Sequence, residues 1–94
     1  MASTMFDSDL FRDMFGTKAM RDVFSDRGYL VHCLEVEAAL ARAQASVGMI
    51  PAEAAREITR RAEVGCLDFE KLRQECEVVG YPVVGLVRQL AAAC

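Results

Sequence analysis

The stretch YLVHCLEVEAALARAQASVG, Tyr29 to Gly48, constrains this chain most. Tyr29, Cys33, Val36, Leu40, Ala43 and Val47 step by 4, 3, 4, 3 and 4 residues, which keeps them on one seam of an α-helix. A second apolar stripe, Leu30, Leu34, Ala38, Ala41 and Ala45, lies beside the first. Only narrow polar strips remain, with His32, Glu35, Arg42 and Ser46 on one and Glu37 and Gln44 on another. A helix apolar around so much of its circumference has to be covered on more than one side. Leu34, Val36 and Leu40 are therefore predicted to be core. Gly48 supplies the C-terminal stop.

The rest of the chain reads as shorter helices around this one. Residues 1–16 form a mixed lead-in, expected to be flexible, with an amphipathic turn or two in MFDSDLFRDMFG. Thr17 is placed to cap TKAMRDVF, and Ser25 or Asp26 to cap the long helix. Pro51 at the first helical position and Glu53 in the first turn restart a helix over IPAEAAREITRRA. Ala54, Ala55, Ile58 and Ala62 face inward there, Arg56, Arg60 and Arg61 are solvated, and Gly65 is the stop. Asp68 caps FEKLRQECEVV, with Phe69, Leu72, Cys76 and Val79 inward. Gly80 ends that helix and Pro82 opens the last one.

No segment alternates with period 2, so the fold class is all-α, with about four to five helices. The final stripe, Val83, Leu86, Val87, Leu90 and Ala91, runs into Ala92, Ala93 and Cys94 with no Gly or Asn behind it and no basic residue beyond Arg88. The expectation is that residues 1–94 form one domain of something larger, the chain ending inside a helix.

Composition narrows the partners. Hydrophobic residues make up 53% of the chain, above the usual range of roughly 45–50%, and the excess points to covered surfaces beyond the chain itself. A net charge of −3 with mixed signs gives no electrostatic footprint for nucleic acid. No apolar run reaches membrane-span length, and the N-terminus lacks a secretory pattern, so a cytoplasmic protein is expected. The cysteines at 33, 66, 76 and 94 have no paired short spacing, so neither a metal site nor a disulfide is expected.

Candidate chemistry is sparse. His32, the single imidazole, sits beside Glu35 and reads as solvated or subunit-facing. Glu35 and Glu37 point to different sides of their helix, and Arg60–Arg61 reads as a solvated face. The stronger feature is GYPVV. Gly80 closes one helix and Pro82 opens the next, which leaves the N–H groups of Val83 and Val84 free at a helix N-terminus, a place for a carboxylate or phosphate. Tyr81 stands over that spot with a hydroxyl to donate. A plain helix–helix corner is the simpler reading of the same residues.

The run AMRDVFSDRGYLVHCLEVEAALARAQASVGMIPAEAAREI followed by GYPVVGLVRQLAAA resembles the N-terminal domain of the fumarase/aspartase superfamily. Within it, the chain is most similar to the branch of 3-carboxy-cis,cis-muconate cycloisomerase and adenylosuccinate lyase-like enzymes. The resemblance covers roughly residues 15 to 93. It implies a helical domain ending before the central bundle of a homotetrameric enzyme that needs no metal or organic cofactor. Such enzymes add or eliminate across a C–C bond beside a carboxylate, through an aci-carboxylate carbanion. The substrate implied is a small di- or tricarboxylate.

On the resemblance, Gly80, Tyr81, Pro82 and Val83 line the substrate pocket, with Thr17, Lys18 and Arg21 as further candidates from the entry segment. No catalytic residue is assigned. The signature segments that carry the acid, the base and the mobile serine loop are absent here, so the chain alone is expected to be inert. Two departures bear on substrate. An Arg-Tyr phosphate-holding pair of adenylosuccinate lyases falls at about Met14 and Phe15, and their catalytic His position is filled by Tyr81. Tyr81 also replaces an Asn common in the cycloisomerases, which points to another substituted succinate. The alternative function is a free-standing helical interaction or assembly module without catalysis.

Overall fold

The computed structural model describes residues 3–94. Its helices are α1 (Arg12–Phe15), α2 (Lys18–Val23), α3 (Asp26–Ser46), α4 (Ala52–Arg61), α5 (Phe69–Val79) and α6 (Val83–Ala93), with a 3-10 turn at Val64–Cys66 between α4 and α5. The class is all-α, with one helix more than expected because the lead-in contributes a short one, α1. In the lead-in, the Asp7 carboxylate accepts from the backbone N–H and the hydroxyl of Thr4, both at 3.0 Å. Phe6 then stacks edge-on against Phe15, ring centroids 5.7 Å apart.

Local signals account for most boundaries. The hydroxyls of Thr17 and Ser25 accept from Met20 N and Gly28 N, and the Asp68 carboxylate accepts from Lys71 N, each satisfying a first-turn donor. Gly48 and Gly80 take positive φ, 81° and 98°, a backbone conformation that residues with a β-carbon rarely adopt. Each closes a hairpin, α3 with α4 and α5 with α6. Three boundaries differ from expectation. Pro51 and Pro82 are N-caps rather than first helical residues. The α4 helix ends at Arg61, ahead of Gly65, which lies within the 3-10 turn.

The core is built from Leu30, Leu34, Val64, Leu72, Leu86 and Leu90. Ala38 and Ala41 of α3 and Ala55 of α4 are also buried, and their small side chains let the two helices run close together. The expectation for α3 is thus corrected. Its second stripe faces the core, Leu34 being 1% exposed, while the first seam, apart from Cys33 at the core's edge, faces outward: Val36 is 63% exposed and Leu40 49%, with Tyr29 and Val47 also exposed. The reason is geometric. One residue turns a helix by about 100°, and this chain has elements enough to cover one of the two stripes.

The same shortage shows elsewhere. Phe69 and Val79 of α5 and Val87 of α6, expected inward, are exposed, as are Phe11, Met14 and Phe24. The radius of gyration is 16.5 Å and the longest extent 53 Å, against about 12 Å expected for the radius of a compact chain of this length.

Candidate functional site

The α5–α6 hairpin makes the candidate site. The Gly80 N–H donates to Cys76 O at 2.7 Å, which ends α5, and Gly80 in the left-handed region turns the chain. Pro82 follows at φ −85° and ψ −11°, already helical, and its carbonyl accepts from Leu86 N at 3.1 Å. No side chain caps α6, so the peptide N–H groups of its first turn lack the partner that Thr17, Ser25 and Asp68 give to α2, α3 and α5. Tyr81 is 55% exposed on the turn. An uncapped N-terminus carries about half a positive charge.

Gln89 fixes the direction of that N-terminus. It accepts from Asp68 N at 2.6 Å and donates to Asp68 O at 3.3 Å, pinning α6 to the start of α5. Nothing local in the sequence announces this bridge, because its ends are 21 residues apart. Gly85 contributes by being small. A β-carbon there would run into the Glu75 carboxylate and stand 3.1 Å from Leu72 Cδ2, so glycine lets α5 lie close on α6. The Glu75 Oε2 atom is buried in that contact with no hydrogen-bond partner.

The entry-segment candidates are engaged within the chain. Thr17 is a cap, and Lys18 pairs with Asp22 at 2.7 Å. Arg21 donates to the carbonyls of Arg12 and Gly16, both at 3.3 Å, and to Asp13 at 3.0 Å, clasping α1 to α2. The α2 helix packs against α3. A groove of about 480 Å³ between the start of α3 and α5 is lined by Tyr29, Leu30, Phe69, Leu72, Cys76 and Pro82, with Asp26, Glu70, Arg73 and Glu77. Of the predicted site residues, Pro82 lines it, and Thr17, Lys18 and Arg21 do not.

The remaining charged residues behave as a solvated surface. His32 Nδ1 lies 3.1 Å from Glu35 Oε2 on an exposed face. Arg60 and Arg61 both reach Glu57, at 2.8 and 3.0 Å, and hold its carboxyl below the usual range. Hydrogen bonds from Arg73 do the same for Glu70. The Cys33 thiol, one turn along α3, pushes the Tyr29 phenol above its ordinary value, burial adds to the rise, and the Cys76 thiol adds less. All four cysteines are free. Among the described residues no cluster of His, Cys, Asp and Glu has the arrangement of a metal site, and no helix is long and apolar enough to cross a membrane.

No family model matches the chain, but individual proteins do. Over 82 residues it is 46% identical to trans-aconitate decarboxylase 1 of Mycosarcoma maydis, covering 87% of this chain and 17% of that protein. A crystal structure of fumarate lyase from Mesorhizobium sp. BNC1 matches at a TM-score of 0.78 and 46% identity, over 84% of this chain and 19% of that one. β-Carboxy-cis,cis-muconate cycloisomerase from Acinetobacter calcoaceticus sp. ADP1 matches at a TM-score of 0.84 and 36% identity, over 90% and 20%.

These likenesses define a class, the all-helical lyases and their cycloisomerase kin. The chain belongs to the fumarase/aspartase superfamily, and its fold is that of the superfamily's small helical N-terminal domain. It spans 21% and 17% of the length of two curated relatives it matches.

Proposed function

We propose that this chain is the N-terminal domain of a longer cytoplasmic lyase or cycloisomerase, one that adds or eliminates beside a carboxylate and is a homotetramer when complete. The observation that carries the reading is the uncapped start of α6, held by Gly80 and Gln89 and flanked by the exposed Tyr81. The names of the relatives point to a common substrate class. Fumarate, trans-aconitate and carboxy-cis,cis-muconate are all carboxylates conjugated to a C–C double bond.

In this reading Gly80, Tyr81, Pro82 and Val83 receive one substrate carboxylate. The N–H groups of Val83 and Val84 and the Tyr81 hydroxyl donate to its oxygens. When the α-proton leaves, negative charge builds on the aci-carboxylate. Fixed donors aimed at that charge are worth more in the transition state than in the ground state. Thr17, Lys18 and Arg21 are the weaker part of the proposal, because two of them would have to exchange partners to reach a substrate. The base and the acid are supplied from outside these 94 residues, so the chain alone is inactive.

The test is to express the reading frame as it continues past Cys94, beside the 94-residue chain. Both are assayed for loss or gain of the conjugated double bond by ultraviolet absorbance, on substituted succinates and carboxymuconates. Turnover by the longer protein and none by the short chain is expected. A stop directly after Cys94, or a longer protein inert on the whole panel, would sink the reading. The assembly-module alternative rests on the exposed Tyr29, Val36, Leu40 and Val47 seam, and it would then lead.

A further inference from the structure

We infer that the groove between the start of α3 and α5 is a docking site for an amphipathic helix whose apolar face is edged by lysine or arginine. The groove is independent of the carboxylate reading, although Pro82 borders both. Its floor is apolar, made by Tyr29, Leu30, Phe69, Leu72 and Cys76, and its volume of about 480 Å³ accepts two or three large side chains rather than a whole domain.

Charge selects the partner. Three carboxylates line the groove, Asp26, Glu70 and Glu77, against one guanidinium, Arg73. That guanidinium is already shared between Glu70 and Glu77, at 2.5 and 2.7 Å. The lining therefore carries a net excess of two negative charges, and apolar anchors entering it with basic residues at their edges meet complementary potential. The second groove, between α3, α4 and α6, carries fewer charged side chains: it is lined by Leu40, Ala41, Ile58, Val87 and Leu90 with Glu37 as its one charged side chain.

Each groove holds its own reporter thiol, Cys76 in the first and Cys94 in the second. The 94-residue chain is treated with iodoacetamide in the presence of a synthetic helical Leu/Lys peptide, and alkylation at each cysteine is timed by mass spectrometry. A matched Leu/Glu peptide is the control. With the Leu/Lys peptide at about ten times its Kd, Cys76 alkylation is expected to slow about tenfold by mass action. Cys94 should keep its rate, and the Leu/Glu peptide should protect neither thiol.

Phe69→Glu, at an exposed position on the groove, should abolish the protection, and Glu70→Lys with Glu77→Lys should weaken it severalfold. Val36→Glu, farther along α3 and outside both grooves, should leave it intact. Equal protection of both thiols, equal action of the two peptides, or loss of protection in Val36→Glu would overturn the proposal, because the peptide would then be coating exposed apolar surface in general. Absence of protection at Cys76 would overturn it outright.

Discussion

The α3 helix carries two leucines six residues apart that the same substitution should separate sharply. Leu34 lies inside the core cluster at 1% exposure, and Leu40 lies on the outward seam at 49%. Leu34→Ala removes the transfer free energy of the lost methyls and leaves a cavity that neighbouring Leu30, Leu72 and Leu86 fill only in part, a cost of about 2–5 kcal/mol. At Leu40 solvent takes the vacated space, so no cavity remains. Half of a full burial worth about 1.5–3 kcal/mol puts the loss near 1 kcal/mol, and the better helix propensity of alanine trims it further. The gap between the two variants should be at least about 1 kcal/mol, a sizeable part of a small domain's stability.

Urea unfolding followed by far-ultraviolet circular dichroism reads this directly, as a shift in midpoint at unchanged slope. Two protein concentrations separate folding from self-association. Equal losses at low concentration, or a larger loss at Leu40, would show that the outward seam is buried after all and that the assignment of stripes is wrong.

Gly80→Ala should destabilise by about 1–2 kcal/mol, because alanine resists the left-handed backbone that φ 98° imposes; a wild-type urea midpoint would contradict the turn geometry. Asp68→Ala should cost about 1 kcal/mol by removing the cap on Lys71 N, measured the same way. Glu57 has a folded-state pKa below its unfolded value. Its contribution is therefore fully present above the ordinary glutamate range and fades as pH falls through the lowered folded value. The urea midpoint of Glu57→Gln should accordingly fall less on acidification than that of wild type, and parallel pH profiles would refute the pairing. Gln89→Ala should lower stability and, in the longer protein, raise KM for the carboxylate substrate more than it lowers kcat.

Much of this fold was legible because its boundaries are local. Thr17, Ser25 and Asp68 are caps by residue type and position, Gly48 and Gly80 are stops, and the 3.6-residue period of α3 is unmistakable. What period alone does not reveal is which of two adjacent apolar stripes a small chain covers. The a/d seam is the more regular of the two, yet the core takes Leu30, Leu34, Ala38 and Ala41, because alanines admit α4 closely and Leu34 meets the cluster around Leu72 and Leu86. The candidate turn was legible from Gly80 and Pro82. The Gln89 bridge and the buried Glu75 oxygen were not, since both arise from α5 meeting α6 in space. The groove beside α5 was missed for the same reason, although the spacing of Glu70, Arg73 and Glu77 marked a network of ion pairs on one face.

The account turns on whether the start of α6 receives a carboxylate. The direct measurement is a crystal structure of the longer protein carrying this domain, soaked with an unreactive dicarboxylate. The account predicts one carboxylate within about 3 Å of the Val83 or Val84 nitrogen, with the Tyr81 hydroxyl on the same group. A dicarboxylate bound elsewhere in the protein, with the turn bare and Tyr81 pointing away, would contradict it.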